Sequence, residues 1–319
     1  MELPFLIEKN IKNILVTGGT GFIGTHLISE LLKHELNVFS LQRHLAISGH
    51  KNSSKATHLL CDLQDAAAVK KLIRKLAPDA VIHLAAISSV GYSYDHPKEV
   101  IESNLLGTSN LVHACLHEDS EIKHFLFAST AEAYGNGPNP KREEMMLKPN
   151  SPYAISKVAC EMHLMYLYNA HNFPVTILRN FNTYGRKHDT RYVVEHAICQ
   201  MIRGTEILLC DPNPTRDFMY VDDHVNSYLS CLGRDEALGE IFNFCTGNSV
   251  SIRELVDLIS DLIGFQGKII WNSEHERPLD TQFLAGDHSK AKRMLGWVPK
   301  YTLEEGLKLT IQHFKNNLH

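Results

Sequence analysis

The chain has 319 residues, 44% hydrophobic and 21% charged, with 32 Lys+Arg against 36 Asp+Glu and a formal net charge of −4. That length supplies one large or two modest domains with a core, and the slight acidity offers no electrostatic footprint for a nucleic acid or an anionic membrane. No apolar run approaches the roughly 18 residues of a membrane-spanning helix. The opening Met1-Glu2-Leu3-Pro4-Phe5-Leu6-Ile7-Glu8 carries acids where a secretory signal is basic, so a cytoplasmic globular protein is expected. Seven cysteines (Cys61, Cys115, Cys160, Cys199, Cys210, Cys231 and Cys245) are scattered without a CxxC pair. Most of them read as small buried hydrophobes, and the set does not read as a disulfide framework or zinc cage. The 19 histidines show no HExxH spacing, and no metal is expected.

Along the chain, short apolar runs alternate with amphipathic segments. Asn13 to Thr17 reads as a buried strand, residues 22–34 as a helix, Leu36 to Leu41 as a second strand and Thr57 to Leu60 as a third that runs into Cys61-Asp62. Gln64 to Leu76 is helical and stops before Pro78; Ala80 to Leu84 is a fourth strand, followed by a long helix from Pro97 to His117. Ile122 to Ala128 is a fifth strand, Pro152 to His171 a helix, and Pro174 to Leu178 a sixth strand. Strands nearly continuous in Val, Ile and Leu, separated by helices, predict an α/β fold: a Rossmann-like, doubly wound parallel sheet covered on both faces. After residue 180 the rhythm breaks. Helices near 190–203, 223–233, 251–263, 288–295 and 302–316 and short strands near 206–209 and 216–221 predict a smaller α/β lobe. The expected division is a dinucleotide-binding domain over 1–180, rejoined by some later segments, and a substrate-binding lobe over 181–319.

Thr17-Gly18-Gly19-Thr20-Gly21-Phe22-Ile23-Gly24 ends the first strand and opens the first helix. Glycines there let the backbone turn, approach a pyrophosphate and pack helix on strand, and the helix N-terminus favours the anion. The second strand exits into Gln42-Arg43-His44 without the acid that holds a ribose 2′-hydroxyl. Arg43 can pair with a 2′-phosphate instead, which favours NADP over NAD. Further on, Tyr153-Ala154-Ile155-Ser156-Lys157 sets a phenol and an ammonium four residues apart on one helix face. A phenol becomes a useful base only where positive charge stabilises its anion, a role for Lys157. The fifth strand runs into Ser129-Thr130, and Thr130 can hydrogen-bond a substrate hydroxyl that Tyr153 deprotonates.

These segments, with HLAA at 83–86, STAEAYG at 129–135, Arg179 to Gly185, Arg216 to Asp223, and Gly286-Asp287 through Trp297, resemble the extended short-chain dehydrogenase/reductases. More narrowly, they resemble the NAD(P)-dependent sugar-nucleotide epimerases and dehydratases, nearest the GDP-mannose 4,6-dehydratases and the GDP-4-keto-6-deoxysugar reductases. The resemblance implies that Thr130, Tyr153 and Lys157 are catalytic. It implies a cofactor site made of Gly18, Gly21, Phe22, Ile23, Gly24, Arg43, Asp62, Leu63, Leu84, Ala85, Ala86 and Asn104 together with Tyr153 and Lys157. Ser88, Thr130, Asn182, Arg216 and Arg277 are then the residues for a nucleotide-diphosphate sugar, where arginine suits phosphate. It also implies a homodimer built by packing helices 97–117 and 151–171 into a four-helix bundle.

Family members share oxidation at the sugar C4 and then diverge. A 4,6-dehydratase needs a base for the C5 proton at the strand tip, and Glu132 stands there; a 4-epimerase does not. Ala131 counts against the dehydratase, because those enzymes often carry an acid at that position. The 4,6-dehydratase is the favoured reading, with the 4-epimerase and the 4-keto-6-deoxysugar reductase as alternatives. A non-catalytic dinucleotide sensor is the alternative of another class, disfavoured by the intact Thr130, Tyr153 and Lys157.

Overall fold

Ile14, Leu15 and Val16 are each fully buried, and they face opposite sides of one sheet: Ile14 and Val16 join one hydrophobic core and Leu15 the other. This two-sided burial makes a continuous apolar run, and not an alternating one, the mark of a central parallel strand. The computed structural model describes residues 4–43, 55–117, 121–186, 189–272 and 279–317.

The first half comprises α1 (Pro4–Glu8), β1 (Asn13–Thr17), α2 (Phe22–Leu31), β2 (Asn37–Gln42), β3 (Thr57–Leu60), α3 (Ala66–Leu76), β4 (Ala80–His83), α4 (Val90–Asp95), α5 (Pro97–Ile101), a π-helical turn (Glu102–Leu106) and α6 (Gly107–His117). It continues through β5 (His124–Thr130), a 3-10 turn (Ala131–Tyr134), α7 (Pro152–His171) and β6 (Val175–Asn180). The second half holds β7 (Asn182–Tyr184), α8 (Val193–Arg203), β8 (Glu206–Leu209), β9 (Thr215–Tyr220), α9 (Val221–Cys231) and β10 (Ile241–Phe244). It closes with β11 (Ser249–Ser251), α10 (Ile252–Ile263), β12 (Lys268–Trp271), β13 (Phe283–Leu284), α11 (Ser289–Leu295) and α12 (Leu303–Asn317).

Seven strands form the central parallel sheet in the order β10-β6-β5-β4-β1-β2-β3. The order reverses between β1 and β4, and such a switch point opens a crevice at the carboxyl ends of the strands. β10 comes from the second half and closes the far edge beside β6. The remaining strands make a small sheet around β9, flanked by β7, β11 and β13, and a β8–β12 pair.

Two details depart from the sequence-based expectation. The long helix over 97–117 is interrupted by the π-helical turn, where the Asn104 carbonyl accepts from the Thr108 hydroxyl at 2.6 Å and the Cys160 thiol at 3.5 Å. The extra residue in that turn is what faces Asn104 toward α7. β10 and the short strands β7, β11 and β13 carry too few residues to register a period of two. The seven cysteines are free thiols, and among the described residues no His/Cys/Asp/Glu group is arranged to hold a metal. No helix among them is long and apolar enough to cross a membrane.

Three histidines, His83, His124 and His224, are buried and pulled by desolvation from 6.5 to about 3. His124 is representative: its Nδ1 accepts from Gly233 N at 3.0 Å and its Nε2 bonds Thr176 Oγ1 at 2.8 Å, whose own hydrogen goes to Ala237 O. The neutral ring fits this arrangement and the charged ring does not. Between pH 3 and 6.5 the unfolded chain therefore binds more protons than the folded one. Stability is greatest above 6.5 and is lost as pH falls, by about 1.4 kcal/mol per pH unit for each ring. Denaturant titrations from neutral pH down to about pH 5 are expected to give a falling unfolding free energy, with a shallower slope in His124→Gln. An unchanged slope in that variant would refute the assignment.

Candidate active site

The crevice at the switch point is a cavity of about 620 Å³. Its floor is the glycine loop between β1 and α2 (Gly18, Gly21, Phe22, Ile23 and Gly24). Its sides are Gln42 at the end of β2 and Arg43 after it, Asp62 and Leu63 after β3, and Leu84, Ala85, Ala86 and Ser88 after β4. Tyr153 and Lys157 of α7, with Ser129, Asn180, His224 and Tyr228, close the other end. Gly18 holds φ +69°, and a Cβ on it would stand 2.9 Å from Ala85 N. A side chain there would therefore be strained and would collide with the opposite wall. A Cβ on Gly24 would overlap the Gly18 carbonyl, so α2 can begin flush against the loop only with glycine.

These residues fit a dinucleotide. The loop presents a helix N-terminus to a pyrophosphate. Gln42 occupies the end of β2, and its side-chain oxygen is buried with no hydrogen-bond partner among the described residues, an acceptor suited to a ribose hydroxyl. Asn104, expected along the cofactor, lies instead behind the wall. Its side chain is 2% exposed and is used on Ile87 N, Ile87 O and Ser156 Oγ. Arg277 lies outside the described residues.

At the catalytic end, Thr130 caps the 3-10 turn by accepting from Glu132 N at 3.2 Å. Its own hydrogen is left for the Tyr153 phenol. Burial pushes that phenol well up, the Thr130 hydrogen bond opposes the shift, and Tyr192 and Glu132 raise it further. Burial outweighs the Thr130 hydrogen bond, and the phenol is held above its ordinary range. Lys157 is buried too; desolvation pulls its ammonium down to about 8, against the pull of Cys160 and Glu161. The ammonium donates to Ala128 O at 2.7 Å and sits 4.7 Å from the centre of the Phe127 ring.

Asn182 and Arg216 line a second cavity of about 410 Å³, together with Arg191, Tyr192, His196 and Asp280. Arg216 is 5% exposed and donates to both Asp280 oxygens at 3.1 and 3.2 Å. Asn180 lines the first cavity and Asn182 the second, so the junction of β6 and β7 is shared by both.

The chain matches the sequence profile of the family described as GDP-mannose 4,6 dehydratase over residues 15–310. It belongs to this family. Among solved structures it is similar to a UDP-glucose 4-epimerase from Thermotoga maritima determined with UDP-glucose, at 32% identity and TM-score 0.90, covering 96% of this chain and 100% of that one. It is also similar to a dTDP-glucose 4,6-dehydratase from Streptomyces venezuelae with NAD bound, at 26% identity and TM-score 0.86 over 95% and 97% of the two chains. A third likeness is RMD from Pseudomonas aeruginosa complexed with NADPH, at 26% identity and TM-score 0.81 over 96% and 99%. The protein is thus an NAD(P)-dependent enzyme of the sugar-nucleotide epimerase, dehydratase and reductase family within the extended short-chain dehydrogenase/reductases.

Two features of this family member were not read from its sequence. Asn180 donates to the Tyr228 hydroxyl at 3.2 Å, and Tyr228 and His224 are 3.3 Å apart. His224 Nδ1 bonds Thr183 Oγ1 at 2.6 Å, and Thr183 donates to Phe181 O. The second feature is an ion pair between Glu161 and Arg179, 2.6 Å apart and almost fully buried. Ser129 also donates to Glu161, and Arg179 donates to the Tyr134 hydroxyl at 2.9 Å. Nothing in the local sequence announces either one, because the bonds that join separate elements, Arg179 to Glu161, Thr183 to His224 and Asn180 to Tyr228, span 18, 41 and 48 residues. Tyr153→Phe removes one hydroxyl from a buried site while keeping the ring. It is expected to lower turnover by about a hundredfold or more and to leave the dissociation constant for dinucleotide, read by fluorescence titration, unchanged. Turnover near the wild-type level would exclude Tyr153 as the proton-transfer group.

Proposed function

We propose that the protein is a nucleotide-sugar 4,6-dehydratase, with Tyr153 as base for the C4 hydroxyl, Thr130 holding that hydroxyl, Lys157 supporting the phenolate and Glu132 as base at C5. The observation that carries this reading is the position of Glu132. It sits one residue into the turn that Thr130 caps, near enough to Tyr153 for its charge to act on the phenol. A bound dinucleotide would accept the hydride from C4 and return it to C6, so that it ends in the oxidation state in which it began. Ala131 is buried and has no proton to give. Glu132 then does both parts of the elimination: it takes the C5 proton and hands a proton to the departing C6 hydroxyl, so that one water leaves. A solvent-derived proton returns to C5.

NADP is the favoured cofactor: Arg43 lines the cleft, where it would pair with a 2′-phosphate, and no acid stands at the end of β2. Gly18, Gly21, Phe22, Ile23, Gly24, Asp62, Leu63 and the Leu84–Ala86 wall hold the remainder. Asn182 and Arg216 in the second cavity, with Ser88 and Arg277, bind the sugar nucleotide. Ile155, Met162 and Tyr166 lie 48, 70 and 60% exposed along α7. That apolar face supports a homodimer through α7 and the α5–α6 segment. The protein acts in the cytoplasm. A 4-epimerase is the second reading, supported by the likeness to the Thermotoga maritima epimerase.

The test is a panel of GDP-, UDP-, dTDP- and CDP-sugars in D2O, each with NADP and with NAD, followed by mass spectrometry. The expected result is loss of one water and gain of one deuterium, stronger with NADP and abolished in Glu132→Gln. Unchanged mass with inverted C4 would replace the dehydratase by the epimerase. Turnover of only a 4-keto-6-deoxy sugar with added NADPH would replace it by the reductase. Equal or better turnover with NAD would overturn the cofactor assignment.

A further inference from the structure

We infer that His83 is a positioning residue, the centre of a directed hydrogen-bond relay that ties the wall of the dinucleotide cleft to the backbone of Tyr153. The inference rests on Tyr153 as the proton-transfer group. The relay begins in the cleft, where Ala85 N donates to Thr17 Oγ1 at 3.1 Å and Thr17 Oγ1 lies 2.6 Å from His83 Nδ1. His83 Nε2 lies 2.9 Å from Thr108 Oγ1, which bonds the Asn104 carbonyl at 2.6 Å. From the other end of the same residue, Asn104 Nδ2 donates to Ser156 Oγ at 2.9 Å, and Ser156 donates to the Tyr153 carbonyl at 2.7 Å.

Proton bookkeeping gives the relay one direction. The single hydroxyl hydrogen of Thr108 goes to the Asn104 carbonyl, so Thr108 must accept from His83, and Nε2 carries the hydrogen. The neutral ring then leaves Nδ1 bare, to accept from Thr17, and Thr17 in turn accepts from Ala85. Both ring nitrogens are committed, and a doubly protonated ring would face the Thr17 hydroxyl hydrogen. Burial and the nearby Lys157 charge keep the ring neutral. Thr17, His83, Asn104, Thr108 and Ser156 are each no more than 3% exposed, so water does not substitute for any link.

The links join β1, β4 and the loop after it, the π-helical turn, α6 and α7. Asn104 also clamps Ile87 through both its N–H and its carbonyl, at 2.8 and 3.2 Å, and Ile87 lines the cleft. The cleft wall and the tyrosine helix are thereby held to one another from behind. A fold that needed His83 for packing alone would serve as well with an aromatic hydrocarbon, since Phe125 and Phe127 lie 6.0 and 5.8 Å from the ring.

His83→Phe keeps the ring and removes both hydrogen bonds; His83→Gln restores one acceptor and one donor. Dinucleotide affinity by fluorescence titration, thermal stability, and kcat and KM for the sugar nucleotide are measured for each. His83→Phe is expected to weaken dinucleotide about fivefold or more and to lower kcat about tenfold with KM unchanged, and His83→Gln to recover part of both. A loss of stability alone, or losses that His83→Gln does not reduce, would overturn the proposal. Should His83→Phe not fold, Thr17→Val, Ser156→Ala and their combination decide. Distant, independent sites multiply, so a departure of more than about threefold from the product in dinucleotide affinity is expected, and simple multiplication would overturn the relay. Dinucleotide titration needs no sugar substrate, so failure of the relay and failure of the dehydratase reading are separable.

Discussion

A buried ammonium is among the most expensive groups a protein can hold, because its lost hydration must be replaced atom by atom. Lys157 is 3% exposed, and the surrounding structure is arranged to satisfy it. The Ala128 carbonyl and the Phe127 ring face come from β5, and the negative charge comes from Glu161, one turn along the same helix. Glu161 is itself buried and needs Arg179 of β6 and Ser129 of β5. Arg179 needs the Tyr134 hydroxyl, and Tyr134 donates to Asn243 of β10 at 2.7 Å. One cation at the catalytic end therefore recruits partners from β5, β6, β10, α7 and the 3-10 turn. This is why the edge strand contributed by the second half belongs to the same cooperative unit as the first.

The same demand explains the neutral histidines beside the cleft. Each sits where one ring nitrogen must donate and the other accept. His83 does this between Thr17 and Thr108, and His224 between Thr183 and Tyr228. The Lys157 charge disfavours a second cation at His83. Tyr153 and Lys157 thus stand within a shell of polar groups whose protons are already assigned, which fixes the frame around them.

The doubly wound sheet was legible from the sequence because its strands are buried on both faces and read as unbroken apolar runs. The glycine loop and the Tyr153–Lys157 pair were legible because their chemistry is local: a positive φ, a helix start, a spacing of four. What stayed hidden depends on contacts distant in sequence. Asn104 was expected at the cofactor, yet its amide is used on Ile87 and Ser156, a consequence of a π-helical turn that no periodicity signals. The Asp280 partner of Arg216, 64 residues along the chain, was likewise not readable from the sequence. The seventh strand, only four residues long, is defined by its neighbour β6 and not by its own pattern.

The most direct measurement is the fate of hydrogen at the sugar C4. A sugar nucleotide that the enzyme turns over, deuterated at C4 and supplied in ordinary water, should yield a product that keeps the deuterium. The label should move to C6 if water is eliminated, or remain at C4 if the centre is inverted, and turnover should be slowed. Loss of the deuterium to solvent would mean that the C4 hydrogen leaves as a proton, and would contradict oxidation of the C4 alcohol by Tyr153, Lys157 and a bound dinucleotide.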